Sequence, residues 1–139
     1  MKKIIFTWGV ILLIISMALV SYAKMEKTAI SAGNLADLKG KWVGSRIAGT
    51  GTSLNTDLEI SNDSLPVQGK FTLYDVKRPG RQGETKIIDF KGKINDQGNL
   101  VITGSNMKVE LSLYKDDGKM KLEGDFFWTG VQGTMSFKK

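Results

Sequence analysis

The 139-residue chain contains neither histidine nor cysteine. A Ser-His-Asp triad, a thiol nucleophile and an ordinary zinc site are therefore excluded. Carboxylates remain, and two of them suffice for glycoside hydrolysis. Asp57, Glu59, Asp75, Asp89, Glu110, Glu123 and Asp125 are the carboxylates within strand-like stretches. All but Asp75 alternate with apolar neighbours and fall on the polar side, where a solvated surface is expected. No catalytic residue, metal ligand or cofactor is assigned. Asn95-Asp-Gln-Gly98 and Lys115-Asp-Asp-Gly118 lack the alternating oxygen ligands and the terminal Glu of a calcium loop. They read as type I turns with a glycine in the following bulge.

A few charges break the alternation. Arg46 shares the phase of Trp42 and Gly44, Asp75 that of Phe71 and Leu73, and Lys86 that of Ile88. Unpaired charges are not tolerated in an apolar core, so these three are expected at an open end. Asp75 and Lys86 flank the basic connection 76–84, which carries Lys77, Arg78 and Arg81. Trp128 closes an apolar-phase run and is counted with them. One reading of Arg46, Asp75, Lys77, Arg78, Arg81, Lys86 and Trp128 is a polar rim around a ligand mouth that attracts an anion. The other is a solvated loop with strand-end side chains reaching into water.

The elements that must position these residues are strands. After Gly40 the apolar period is two, not 3.6. Met107, Val109, Leu111 and Leu113 alternate with polar residues, and Met120, Leu122, Gly124, Phe126 and Trp128 alternate with Lys121, Glu123, Asp125 and Phe127. Ile88, Phe90, Gly92 and Ile94 do the same, with Trp42 and Gly44, Leu54 to Ile60, Gly69 to Leu73, and Val131 to Phe137. About eight strands result, each with one wet and one dry face, the mark of antiparallel sheet. Gly98-Leu100-Ile102-Gly104 maps onto Gly118-Met120-Leu122-Gly124, a repeated hairpin such as a meander produces. The fold class is all-β: a small antiparallel up-and-down barrel, with a β-sandwich as the alternative.

Gly44, Gly69, Gly92, Gly104, Gly124 and Gly133 all fall in the apolar phase. Such glycines either let strands coil sharply or leave room for something inside. They argue against an outer-membrane barrel, whose apolar face carries bulky residues and aromatic girdles.

Ahead of the first strand, Asn34 to Lys39 reads as one helical turn, with Asn34 as its cap and Leu35 and Leu38 facing inward. The segment Leu38-Lys-Gly-Lys-Trp42 then resembles the Gly-x-Trp entrance of the calycin barrels, the lipocalins and avidins. That resemblance implies an eight-stranded up-and-down barrel with Trp42 plugging one end. The lipocalin Thr-Asp-Tyr motif is absent, and Gly44 stands where an avidin places a biotin-binding Asn, so biotin binding is not implied.

The N-terminus sets the destination. Lys2 and Lys3 precede an uncharged apolar stretch from Ile4 to Val20, and Ser21-Tyr-Ala23 follows. Positive start, apolar stretch and small-residue step make a secretory signal over 1–23. An uncleaved membrane anchor is the rival reading, since a span needs about 20 apolar residues. Residues 24–39 read as a leader with the helical turn, and 40–139 as the barrel domain. Without residues 1–23 the chain has 18 basic and 14 acidic residues, a mild excess without the basic face of a nucleic-acid binder. The expected protein is exported, to the periplasm or outside the cell, and free of the membrane after cleavage. Its expected role is a non-catalytic binding module for a small apolar or amphipathic ligand. The alternative is an envelope interaction protein or enzyme inhibitor presenting its loops to a protein partner. The lack of cysteine favours a bacterial envelope over a eukaryotic secretory setting.

Overall fold

The computed structural model describes residues 25–49, 51–77, 80, 82–104 and 106–139. The segment 1–23 read as a secretory signal, Arg78 and Arg81 lie outside the described residues. Period-two stretches become nine strands: β1 (Glu26–Thr28), β2 (Gly40–Ala48), β3 (Ser53–Ile60), β4 (Val67–Val76), β5 (Glu84–Ile94), β6 (Leu100–Gly104), β7 (Met107–Asp116), β8 (Lys119–Trp128) and β9 (Val131–Lys138). A single 3-10 turn, Leu35–Leu38, is the one helical element among the described residues. Each strand from β2 to β9 pairs antiparallel with the next, and β2 also pairs with β9, Gly44 opposite Phe137. This closes an eight-stranded up-and-down barrel and decides against the sandwich.

β1 lies outside that meander. β6 pairs with β7 only from Met107 to Leu111, and β1 takes up the next stretch, with Thr28 opposite Leu113. The unpaired edge left by the short β6 is thereby satisfied. This strand falls in the stretch read as a leader.

One end of the barrel is sealed. Leu35 and Leu38 are buried, as expected. Asn34 does not cap through its side chain; its Oδ1 instead accepts from the backbone N–H of Ser31. Trp42 is fully buried and donates its indole N–H to the Leu38 carbonyl at 2.8 Å. The Lys139 ammonium lies 5.5 Å from the Trp42 ring centre and donates to the backbone carbonyls of Asp37 and Lys39. The C-terminus thus clamps the turn over the tryptophan.

The interior is filled. Phe71 packs against Phe90 and Phe137, with ring centres 5.0 and 6.1 Å apart, and Leu58, Leu111, Leu113 and Leu122 are fully buried around them. The glycines explain how so small a barrel closes. A Cβ on Gly44 would lie 1.8 Å from the Ser136 carbonyl oxygen, and one on Gly124 1.8 Å from that of Glu110. A Cβ on Gly69 or Gly133 would lie 2.1 Å from the carbonyl oxygen of Glu59 or Ile47. These four allow strands to coil over their neighbours; they do not line a chamber. Gly104 differs from its counterpart Gly124, because β6 ends there at an exposed hairpin.

The two Asp-Gly-type turns also part ways. At Asn95–Asn99 the Gly98 N–H returns to the Asn95 carbonyl and Gly98 has φ 74°, the expected turn with a bulge. At Asp117-Gly118 both residues have positive φ, 45° and 82°. That is a two-residue type I′ hairpin, whose twist matches the flanking strands.

Candidate functional site

The open end carries a depression of about 500 Å³, and Arg46, Leu54, Asp75, Val76, Lys77, Lys86, Trp128 and Val131 contribute to its wall. Five of the seven residues singled out by phase or position therefore converge there from β2, β4, β5, β8 and the β4–β5 connection. Two broader hollows, about 610 and 790 Å³, lie on the outer wall among outward residues such as Lys70, Asp89, Glu110 and Glu123. Neither holds a buried charge. The mouth does.

Arg46 is only 6% exposed. Its Nη1 donates to the Asn55 carbonyl at 2.9 Å and to the Thr56 hydroxyl at 2.8 Å, and its Nη2 donates to the Tyr74 carbonyl at 2.6 Å. The Tyr74 carbonyl is available because of a bulge. Leu73 opposes Lys86 and Val76 opposes Glu84, so two residues, Tyr74 and Asp75, stand against Thr85 alone. Asp75 adopts φ 56° there, a left-handed conformation that Asp tolerates better than most residues. The extra residue breaks the alternation. Asp75 consequently sits exposed at the rim, not inward with Phe71 and Leu73 as its phase predicts.

Among the described residues no carboxylate lies within ion-pairing distance of Arg46. Burial pushes the guanidinium below its ordinary value, and the field of Asp75 pulls it back in part. An arginine stays charged in a protein. The mouth thus holds a cation whose hydrogen bonds neutralise none of its charge.

Lys86 and Trp128 complete the rim. The Lys86 ammonium lies 5.1 Å from the Trp128 ring centre, a cation–π contact joining β5 to β8. Beneath it, a void of about 10 Å³ touches Phe71, Leu73, Met107, Val109 and Met135. That is at the lower limit for one water. Arg46, Phe126 and Trp128 line both this void and the depression above, so they form the partition between them.

Comparison with protein-family models, curated proteins and solved structures found no match to this chain. The barrel itself is compatible with a calycin-like one. Asp75 is the one carboxylate among the described residues that line the depression. What the mouth offers is a desolvated cation, a second cation on an aromatic ring, and apolar walls from Leu54, Val76 and Val131.

Residue phase alone did not single out Thr56, Leu54, Val76 or Val131. Thr56 could have been found, since it is a polar residue in the apolar phase of Leu54, Leu58 and Ile60. It is fully buried and serves as an acceptor for Arg46.

Proposed function

We propose that this chain is an exported, non-catalytic binding module of calycin-like build that holds a small amphipathic anion at its mouth. The observation that carries the reading is the buried Arg46, without an ion-pair partner among the described residues, facing the same depression as the Lys86–Trp128 pair. A carboxylate or similar head group would take the place of the missing counter-ion. The apolar part would lie along Leu54, Val76, Trp128 and Val131. Because the interior is packed, the ligand occupies the mouth and does not thread the barrel. Asp75 at the rim disfavours a second negative group on that side.

Decanoate, decyltrimethylammonium and decanol test this together, with Trp128 fluorescence as the readout on residues 24–139. Decanoate should quench or shift the emission saturably, the cation should not, and decanol should bind more weakly than decanoate. Trp128→Leu removes the signal, and Arg46→Met should abolish the preference for the anion. Equal response to all three amphiphiles would sink the proposal. Export is tested separately: intact mass from the native host should show Lys24 as the first residue. Retention of residues 1–23 would mean an anchored protein.

A further inference from the structure

The same end of the barrel has a second surface, which meets the depression at Lys77 and Val131 and extends beyond it. The β8–β9 hairpin ends in Phe126-Phe-Trp-Thr-Gly-Val131, without a charge. Thr129 and Gly130 have φ 48° and 83°, so the hairpin makes a tight two-residue tip. On its flank Phe127 is 41% exposed and Val131 at the lip 43%. Ile47, on the strand that pairs with β9, is 41% exposed, and Ile87 near the start of β5 is 59% exposed. Among the described residues, four of the six large apolar side chains left in water thus lie in the half of the barrel that holds the mouth. Phe127, Val131 and Ile47 lie on the neighbouring strands β8, β9 and β2, and such a grouping marks an interaction surface where scattered single residues do not.

The charge is distributed the same way. Among the described residues, the stretches at this end (45–55, 74–87, 103–109 and 126–134) carry four basic side chains, Arg46, Lys77, Lys86 and Lys108, and two acidic ones, Asp75 and Glu84. The other described residues number eleven basic and twelve acidic. Among the described residues the net positive charge therefore falls in the stretches at the mouth end. Lys77 and Lys108 make no ion pair among the described residues.

We infer that the mouth end docks on an anionic phospholipid surface. The uncharged hairpin tip enters the interface through Phe127 and Val131, and Lys77 and Lys108 lie against the phosphates. Apolar side chains ringed by cations complement that surface on both counts. The sequence, with no spanning strand and no girdle, gave the opposite expectation of no membrane contact after cleavage. The inference does not depend on a ligand in the depression, since Phe127 and Lys108 lie outside it.

The closed barrel and its core are complete within the described residues 25–139, so the polypeptide 24–139 is the one to test. Its co-sedimentation with phosphatidylcholine vesicles, with and without one third phosphatidylglycerol, is the test. Binding should require the anionic lipid and weaken as salt rises. Lys108→Glu should lower the vesicle partition at least about fivefold, the worth of one lost surface cation. Phe127→Ser should lower it about tenfold. Leu65→Ser, at the sealed end and more exposed still (57%), should change nothing. Circular dichroism of each variant establishes that the barrel is folded, and decanoate binding should survive Phe127→Ser. Equal binding to neutral vesicles, no binding, or an effect of Leu65→Ser as large as that of Phe127→Ser would overturn the inference. So would a dimer, seen by sedimentation, that Phe127→Ser dissociates.

Discussion

Gly124→Ala should be among the most damaging single-carbon additions this protein can suffer. The new Cβ would sit 1.8 Å from the Glu110 carbonyl oxygen, 2.8 Å from its carbon and 3.1 Å from the Leu111 Cα. All three atoms belong to the backbone of β7, so no rotamer change relieves the clash. β7 and β8 must separate by more than 1 Å, roughly the shortfall from an ordinary van der Waals contact. That strains the ladder bonds around Leu111–Gly124, each worth about 1 kcal/mol. Overpacking itself costs about 1–3 kcal/mol. The two together give about 3 kcal/mol or more, against a total of about 5–15 kcal/mol for a domain. For about 115 residues this lowers Tm by roughly 10 °C or more. Gly104→Ala is the matched control: its Cβ would meet only the Met107 side chain, at 3.5 and 3.9 Å. It should be neutral, or stabilising by about 0.5 kcal/mol through the unfolded chain. Urea unfolding followed by circular dichroism reads both. Should Gly124→Ala fall within about 1 kcal/mol of the parent, or should the two variants behave alike, the claim that these glycines serve strand coiling fails.

Gly118→Val should cost about 1–3 kcal/mol from backbone strain alone, because φ is 82° and nothing lies within 4 Å of its Cβ. Lys121→Val on the wet face, which loses a pair with Glu123 and a cation–π contact with Tyr114, should cost about 1 kcal/mol or less; thermal melts decide the order. Arg46→Met should destabilise by about 1–3 kcal/mol despite removing a buried charge, since it strands the carbonyls of Asn55 and Tyr74. The Tyr74 hydroxyl donates to Asp57 at 3.0 Å, and this bond with the carboxylate's charge raises its pKa. The linked stability is therefore present below the unfolded tyrosine value of about 10 and lost as pH rises through the folded one. Absorbance titration at alkaline pH should show this tyrosine ionising late, and Asp57→Asn should move it to lower pH.

The alternation of Val109, Leu111 and Leu113, or of Phe71 and Leu73, made the strands legible, because a half-buried strand must repeat every second residue. Closure was not legible in the same way. Whether β2 meets β9 depends on coil accumulated over all the strands, and that depends on how near Gly44 and Gly124 come to a neighbouring carbonyl. The same glycines were compatible with a hollow interior until the position of a Cβ was known. β1 was missed because Glu26-Lys-Thr28 has no apolar alternation of its own; the free edge of β7 makes it a strand. At the mouth, Arg46 and Lys86 announced themselves by carrying charge in an apolar phase. The bulge at Tyr74–Asp75 was silent, since nothing in Leu-Tyr-Asp-Val marks an extra residue. The Lys86–Trp128 contact joins strands that are not neighbours in the barrel, and only closure brings them together.

The central claim is that an amphipathic anion sits over a packed interior, held at the mouth by Arg46 and Lys86. An amide and indole ¹H–¹⁵N NMR titration of residues 24–139 with decanoate, at concentrations below vesicle formation, tests it most directly. Saturable shifts should appear at Arg46, Val76, Lys86, Val131 and the Trp128 indole, while the Trp42 indole at the sealed end stays fixed. Shifts that centre on Trp42, or spread along the outer wall without saturating, would contradict the account.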